Sequence, residues 1–196
     1  MKIGVFGGSF NPPHKMHIDI AEKLLDKHFV DKVVYVPTGS QYKYKSNLKE
    51  PQKRYEMLKL IADKDERLLV SDNELKDYVV YTCETLAYFK ELYPEDEIYF
   101  ICGTDNLSYI DKWKNGEEIL RNYKILVVDR EGNDVRALLE KFSLYKDNIV
   151  VVPIELNNIS STEIRKLIQL HKYDELEGLV DPDVIRYIKE NKLYES

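Results

Sequence analysis

A short segment near the start of the sequence combines glycines, a serine and two histidines in a pattern suited to phosphate binding. Residues 7–17 read Gly-Gly-Ser-Phe-Asn-Pro-Pro-His-Lys-Met-His, directly after an apolar run. Gly7 and Gly8 allow the backbone to approach a ligand closely and to adopt positive φ. The turn then presents N–H groups and a hydroxyl at the start of a helix, where anions are favoured. His14 and His17 project from nearly the same helix face and can donate hydrogen bonds to phosphate oxygens.

This segment differs from two common phosphate-binding fingerprints. Its glycines, taken with Gly4, do not have the Gly-x-Gly-x-x-Gly spacing, and the segment lacks the lysine of a P-loop. A dinucleotide-reducing enzyme and a Walker-type ATPase are therefore disfavoured. The residues alone leave two alternatives open. The histidine pair could be ordinary surface decoration, or it could bind a metal, although no third ligand lies nearby in the sequence.

The elements that must position these residues alternate between short apolar runs and segments of helical periodicity. In the first helix, Ile18, Ala21, Leu24 and Leu25 recur at three- and four-residue intervals. Strands are predicted over residues 2–6, 32–36, 68–70, 97–102, 124–128 and 149–153. Helices are predicted over residues 14–27, from Pro51 onward, and over 82–92, 135–142, 161–170, 173–179 and 182–191. This alternation predicts an α/β fold: a Rossmann-like, doubly wound parallel sheet of five or six strands with C-terminal helices.

We expect a single domain over residues 1–196, in which residues from about 160 to 196 form a helical cap. Ligands of such sheets bind beyond the carboxyl ends of the strands. Residues 7–17, 38–45, 103–113 and 159–165 all follow predicted strands. Their shared position predicts that these four segments line one crevice.

Composition narrows the class of protein further. The chain has 196 residues, 43% of them hydrophobic, and its 29 basic and 35 acidic residues give a net charge of −6. This balance gives no general support to binding of nucleic acid. The apolar runs are too short for a membrane span, and no secretory leader is recognisable, so we expect a cytoplasmic protein. Cys83 and Cys102 are isolated, which indicates neither a disulfide framework nor a zinc knuckle.

Two of these segments resemble the paired signatures of the His-x-x-His nucleotidyltransferase superfamily. They are residues 7–17 and the run Ile-Ser-Ser-Thr-Glu-Ile-Arg at residues 159–165. Within that superfamily, residues 81–86, 103–105 and 191–196, with Trp113, resemble the nicotinate/nicotinamide mononucleotide adenylyltransferase family. The resemblance implies a reaction of NAD biosynthesis in which nicotinate mononucleotide is joined to ATP, giving deamido-NAD and pyrophosphate. The implied partners are ATP and nicotinate or nicotinamide mononucleotide, with no nucleic acid and no membrane, and a homo-oligomer is compatible with the sequence.

The resemblance also implies roles for individual residues. His17 is expected to donate to the α-phosphate of ATP as charge builds there, with His14 on the neighbouring phosphates. The other implied ATP-binding residues are Gly8, Ser9, Phe10, Asp105, Ser160, Ser161 and Arg165. The implied substrate-binding residues are Lys45, Thr85, Trp113 and Lys114. Mg²⁺ is expected to arrive with ATP rather than to be held by a set of protein ligands.

Several of these residues also have purely structural interpretations. Ser160 could cap a helix in front of Glu163, and Asp105 could cap the helix that follows it. Trp113 could be a half-buried packing residue. Thr85 could simply face inward, and Lys45 could belong to a solvated basic loop.

Two departures from the usual family pattern bear on substrate choice. Met16 stands where many bacterial members have glycine, so its thioether is expected to cover the adenine ring. Gln-Tyr-Lys-Tyr-Lys at residues 41–45 replaces a more usual Pro-Pro-His-Lys. Both variants resemble the nicotinamide branch, so the sequence leaves the preference between nicotinate and nicotinamide open. The alternative functions are a related enzyme such as phosphopantetheine adenylyltransferase, a non-catalytic nucleotide sensor and a His-x-x-His metal hydrolase.

Overall fold

A six-stranded parallel sheet forms the centre of the protein. The computed structural model describes residues 1–41, 48–129 and 134–196. Within them the strands are β1 (Lys2–Gly8), β2 (Lys32–Pro37), β3 (Leu68–Val70), β4 (Glu97–Gly103), β5 (Lys124–Val128) and β6 (Ile149–Val152). They lie in the order β3-β2-β1-β4-β5-β6, and every neighbouring pair is parallel. This confirms the predicted fold class.

The central strands are apolar on both sides because helices cover both faces of the sheet. Val33, Val34 and Val36 of β2 are each at most 2% exposed, as expected for a doubly covered parallel sheet. The helices are α1 (Lys15–Asp26), α2 (Pro51–Ala62), α3 (Thr82–Leu92), α4 (Thr104–Tyr109), α5 (Gly116–Asn122), α6 (Val135–Lys141), α7 (Ser161–Gln169) and α8 (Pro182–Glu190). Short 3₁₀ turns occur at Ile110–Lys112, Ser143–Asn148 and Tyr173–Leu176.

The two faces of the sheet carry two separate apolar cores. Helices α1, α2, α7 and α8 pack on one face, around residues such as Leu24, Leu58 and Ile164. Helices α3 and α5 pack on the other face, around Leu86 and Ile119. The C-terminal helices therefore share a core with the first helix of the chain, which brings the beginning and the end of the sequence together.

Some predicted elements differ from the observed ones. Strand β1 continues through Gly7 and Gly8, so these glycines are strand residues, and neither has positive φ. The left-handed residue of the turn is Phe10, with φ of 45°. The helix predicted over 173–179 is only the 3₁₀ turn Tyr173–Leu176, and α4 and α5 were not predicted because each is too short to show a helical period.

The strand order changes direction between β1 and β4, which makes this pair the topological switch point of the sheet. The crevice beyond the carboxyl ends of β1 and β4 is where such folds bind ligands. The segments after Gly8 and Gly103 open into it.

Among the helices of the described ranges, none has the length and apolar character needed to cross a bilayer.

Candidate active site

The two histidines of the first segment form a stacked pair at the start of α1. His14 is the N-cap residue, and its N–H donates to Nδ1 of His17 at 3.1 Å. The ring centroids are 3.8 Å apart, with 28° between the ring planes. Because Nδ1 of His17 accepts this hydrogen bond, the neutral His17 ring carries its proton on Nε2. His17 can therefore act as a donor through Nε2 at the helix N-terminus, where anions are favoured.

Aromatic side chains brace the His17 ring. The Phe10 ring meets it edge-on at a centroid distance of 4.9 Å, and the ring of Phe6 lies at 6.2 Å. The hydroxyl of Tyr35, on β2, donates to the carbonyl oxygen of His17 at 3.2 Å. Burial raises the pKa of Tyr35 well above its usual range, so this hydroxyl stays a neutral donor. Phe10 was predicted only as a backbone contact, but its side chain is 1% exposed and supports His17 directly.

The structure brings Arg165 to the turn that carries the histidines. Its Nη1 donates to the carbonyl oxygen of Asn11 at 2.9 Å, and its Nη2 donates to Oγ1 of Thr162 at 3.2 Å. The Ser161 hydroxyl donates to the carbonyl oxygen of Pro12 at 3.1 Å. Helix α7 is thus docked on residues 11–12, and its arginine lies beside the turn that leads to the histidines, which is the proximity that the sequence predicted.

Asn11 joins this turn to the end of the described chain. Its side-chain oxygen accepts from the Tyr194 hydroxyl at 2.8 Å and from the Lys49 N–H at 3.2 Å. A cavity of about 240 Å³ opens beside these groups, lined by Leu48, Lys49, Arg165, Gln169, Tyr194 and Ser196. Two cationic side chains in one polar cavity suit an anion.

Of two predicted ATP ligands, Ser160 also has a structural role, whereas the Asp105 side chain does not cap α4, whose N-cap residue is Gly103. The Ser160 side chain accepts from the Glu163 N–H at 3.2 Å, so it caps α7, which is the structural interpretation given above. Asp105 lies in the first turn of α4 with an exposed carboxylate at the carboxyl end of β4. The neighbouring Thr104 is 3% exposed and donates to Asp129 at 3.5 Å. The ligand roles of Ser160 and Asp105 stay predictions.

On the opposite face of the sheet, Thr85 has a partner that the sequence did not reveal. Thr85 is 2% exposed, and its hydroxyl donates to Oε1 of Glu74 at 2.7 Å. Burial raises the pKa of Glu74 to about 7. The loop carrying Glu74 lies so close to Gly39 that a Cβ at Gly39 would come within 2.3 Å of the Glu74 carbonyl oxygen. Only glycine fits at position 39, because the loop after β2 and the loop that carries Glu74 pack closely together there.

Trp113 and Lys114 lie beyond α4, on the same side as Thr85. Trp113 is half-buried and packs edge-to-face on Phe100, with a centroid distance of 6.2 Å. The Lys114 side chain pairs with Glu84 at 2.7 Å and lies 4.6 Å from the centroid of the Tyr81 ring. The packing interpretation of Trp113 is therefore present in the structure, and its stacking role stays a prediction.

One expectation is wrong, and one cannot be placed. Met16 is 3% exposed and packs within the core around Leu24, so its side chain lacks the exposed surface needed to cover an adenine ring. Lys45 lies outside the described residues, as does the rest of 42–47.

Sequence reasoning also missed Arg54, which is fully buried on α2. The signal was available, because Arg54 falls on the apolar stripe formed with Met57, Leu58 and Ile61 at intervals of three, four and seven residues. A charged residue at such a position must find partners inside the protein.

The described residues contain no cluster of three or more histidine, cysteine, aspartate or glutamate side chains arranged to hold a metal.

The fold and the site together define a class of protein. A parallel sheet presents a histidine pair at the start of α1, beside the switch point, and α7 adds an arginine to the same turn. No nucleophile with an attendant base is needed for such a site to bind and align polyphosphates. This arrangement is that of a nucleotidyltransferase.

Comparisons with known proteins agree with that class. Residues 5–167 match the family described as cytidylyltransferase-like. A probable nicotinate-nucleotide adenylyltransferase from Caldicellulosiruptor bescii is 38% identical over 198 residues, 99% of each chain. One from Clostridium tetani is 34% identical over 98% of each chain. The chain therefore belongs to the cytidylyltransferase-like family and, within it, to the nicotinate-nucleotide adenylyltransferases, which confirms the family resemblance stated in the sequence analysis.

Solved structures show the same architecture. Nicotinic acid mononucleotide adenylyltransferase from Plasmodium falciparum, complexed with NaAD, superposes with a TM-score of 0.82. That comparison covers 99% of this chain and 97% of the other, at 22% identity. A putative nicotinate-nucleotide adenylyltransferase from Vibrio parahaemolyticus gives a TM-score of 0.72, also at 22% identity, over 100% of this chain and 96% of the other. At this level of identity the likeness establishes the fold.

Proposed function

We propose that this protein transfers the adenylyl group of ATP to nicotinate mononucleotide, giving deamido-NAD and pyrophosphate. The observation that carries the proposal is the convergence of His14, His17 and Arg165 on one turn, in which Arg165 donates to Asn11 at 2.9 Å and the two imidazoles stack at 3.8 Å. Family membership supports it, because relatives with that name match the chain over nearly its whole length.

The reaction requires alignment more than covalent help from the protein. A phosphate oxygen of the mononucleotide bonds to the α-phosphorus of ATP. The bond from that phosphorus to the bridging oxygen breaks, and pyrophosphate leaves with the electron pair. Positioning and charge stabilisation dominate the catalysis of such transfers. In our proposal His17 donates from Nε2 to an α-phosphate oxygen, where negative charge increases in the transition state.

The remaining groups of the turn would hold the rest of the triphosphate. His14 would contact the neighbouring phosphates, and Arg165 would bind the β- and γ-phosphates with its planar fork of donors. Gly8, Ser9 and Phe10 would offer backbone and hydroxyl donors. ATP would enter as its Mg²⁺ complex, since Mg²⁺ keeps several waters and needs few protein ligands.

The mononucleotide would bind on the α3 side of the crevice. Thr85 and Trp113 lie on that side, with Trp113 half-buried on Phe100. An aromatic ring of this kind can stack on a pyridine ring. The Lys114 backbone would lie near the carboxylate or amide substituent. The Lys114 side chain is already paired with Glu84 at 2.7 Å, so its main chain is the part proposed to contact substrate.

The test is pyrophosphate release, with the dinucleotide product identified by mass. The protein should release pyrophosphate only when ATP and a pyridine mononucleotide are both present, and kcat/KM should be compared for nicotinate and nicotinamide mononucleotide at saturating ATP. A higher kcat/KM for nicotinamide mononucleotide would reassign the substrate. The proposal would be rejected if ATP reacted with phosphopantetheine and with neither pyridine mononucleotide. It would also be rejected if the protein bound ATP but formed no product.

A further inference from the structure

The Arg54 side chain is the most deeply buried charge in the described part of the molecule. It is 0% exposed and lies on α2, beneath the turn that follows β1. Its Nε donates to the carbonyl oxygen of Lys49 at 2.9 Å, and its Nη1 donates to that of Ser9 at 2.7 Å. Its Nη2 donates to the carbonyl oxygen of Thr38. All three nitrogens of the guanidinium therefore bind main-chain oxygens.

These three oxygens come from separate segments at one edge of the sheet. Ser9 lies in the turn after β1, and Thr38 directly follows β2. Lys49 stands two residues before α2. Thr38 and Lys49 bracket the connection between β2 and α2, so one guanidinium fixes both ends of that connection to the phosphate-binding turn.

Within residues 1–41, 48–129 and 134–196, Arg54 has no carboxylate partner, and its hydrogen bonds all go to carbonyl oxygens. Burial lowers the pKa of Arg54 to about 10, which leaves the side chain charged at neutral pH. Burying a cation without a carboxylate partner costs free energy of desolvation. An apolar side chain at position 54, such as methionine, would fill the same space on α2 without this cost. The carbonyl bonds therefore point to a role beyond packing.

Peptide planarity shows how that role reaches the site. In a trans peptide the carbonyl oxygen and the following N–H point in opposite directions. Because the Ser9 carbonyl points inward to Arg54, the N–H of Phe10 points away from Arg54, outward from the buried side of the turn. The hydrogen bond at 2.7 Å also polarises that peptide unit.

We infer that Arg54 is a positioning residue for adenylyl transfer, orienting the Ser9–Phe10 peptide toward the triphosphate of ATP and holding the ends of the β2–α2 connection beside it. The inference rests on the proposed function for its kinetic consequences. Arg54 itself touches no substrate, since it has no exposed surface. Its effect should therefore appear in the binding and alignment of ATP rather than in recognition of the pyridine ring.

The test compares Arg54→Lys and Arg54→Met with Ile61→Ala, a matched control on the same helix, 3% exposed and far along α2 from the three carbonyls. We expect Arg54→Met to lower kcat/KM for ATP at least 100-fold and to raise the KM for ATP, while the KM for the mononucleotide changes less than threefold. Arg54→Lys should fall between, because an ammonium keeps the charge but lacks the planar fork. Ile61→Ala should stay within about twofold of the parent, measured well below its melting temperature.

Chemical rescue separates positioning from general loss of structure. Guanidinium ion at millimolar concentration should restore part of the activity of Arg54→Ala and none of that of Ile61→Ala. Unchanged ATP kinetics in Arg54→Lys and Arg54→Met would overturn the inference, as would equal losses toward both substrates.

Calorimetric titration with ATP keeps this inference separate from the proposed function. If the parent protein binds ATP but releases no pyrophosphate, the proposed function fails. A weaker ATP affinity in Arg54→Lys than in Ile61→Ala then still supports the positioning role. Equal affinities in the two variants would reject it.

Discussion

The N–H of His14 donates to Nδ1 of His17 at 3.1 Å, and this bond decides which nitrogen of the His17 ring can donate to a ligand. A ring that accepts at Nδ1 presents its proton at Nε2. The N-cap residue of α1, His14, therefore orients the proposed catalytic donor, His17. Local backbone structure thus fixes the chemistry of the site.

This relationship predicts different outcomes for three substitutions at His17. His17→Gln places an amide near the position of Nε2 and should retain part of the turnover. His17→Asn can still accept from the His14 N–H but does not reach as far, and it should lose on the order of 10²–10³ in kcat, like His17→Ala. The measurement is kcat at saturating ATP and mononucleotide.

Thermal unfolding of the same His17 variants supplies the control. His17→Asn should unfold within about 1 kcal/mol of the parent protein, because the capping acceptor is kept. If His17→Asn and His17→Gln have equal kcat values, the outer nitrogen is not the catalytic donor.

Arg165 should affect ATP binding more than the chemical step. Arg165→Ala removes both the proposed phosphate contact and the bond to Asn11, and it should raise the KM for ATP by more than about tenfold. Arg165→Lys should be intermediate, because lysine cannot form a two-pronged contact. Lys166→Ala alters an exposed neighbour on the same helix and should leave the KM unchanged. A normal KM for ATP in Arg165→Ala would remove Arg165 from the phosphate site.

Trp113 is the only tryptophan in the sequence, so fluorescence reports on it alone. Stacking of an electron-poor pyridine ring on the indole should quench the emission as nicotinate mononucleotide is added. ATP alone should have a much smaller effect. Trp113→Phe, which keeps an aromatic ring against Phe100, provides the signal-free control and should raise the KM for the mononucleotide several-fold. If the enzyme is active but its fluorescence is not quenched at saturating mononucleotide, Trp113 does not stack on the pyridine ring.

Glu74 should make stability depend on pH. Its pKa is raised by burial from 4.5 in a free side chain to about 7 in the folded protein. The folded state therefore binds more protons than the unfolded state between these values, and the free energy of unfolding should fall as pH rises from 4.5 to 7. Glu74→Gln should remove this fall and stabilise the protein at pH 8 by on the order of 1–3 kcal/mol.

Urea unfolding at pH 5 and pH 8 measures this effect, with Glu84→Gln as the control. The hydrogen bond from Lys114 holds the pKa of Glu84 below its usual range, so its substitution should act in the opposite direction at pH 8. Equal pH dependence in the parent and in Glu74→Gln would show that Glu74 is not the responsible group.

Much of the fold follows from patterns that depend on neighbours in sequence. The spacing of Ile18, Ala21, Leu24 and Leu25 predicts α1, and all four are buried. Valine-rich runs predict the strands, and their alternation with helices predicts a parallel sheet. Helices α4 and α5 could not be predicted in this way, because six or seven residues contain too few turns for a period to emerge.

The site shows the same division between local and non-local signals. The two signature segments predict that His14, His17 and Arg165 meet, because strand ends gather at one edge of the sheet. The spacing on α2 indicates that Arg54 is buried, but Arg54 and Glu74 have partners that are carbonyl and hydroxyl groups 5 to 45 positions away in the sequence, and no spacing rule identifies those partners. Positive φ was expected at Gly7 and Gly8, because glycine adopts it most readily. It occurs instead at Phe10, where burial of the phenyl ring among Phe6, His17 and Tyr35 outweighs this preference.

The bond between Asn11 and Tyr194 spans 183 positions of the chain. The ribosome makes the histidine turn long before it makes the tyrosine that braces it. Contacts between such distant residues form only after the intervening chain has been made and ordered. Nascent chains that stop short of α8 should therefore carry the histidine turn without its brace, and they should bind nucleotide more weakly than chains that include Tyr194.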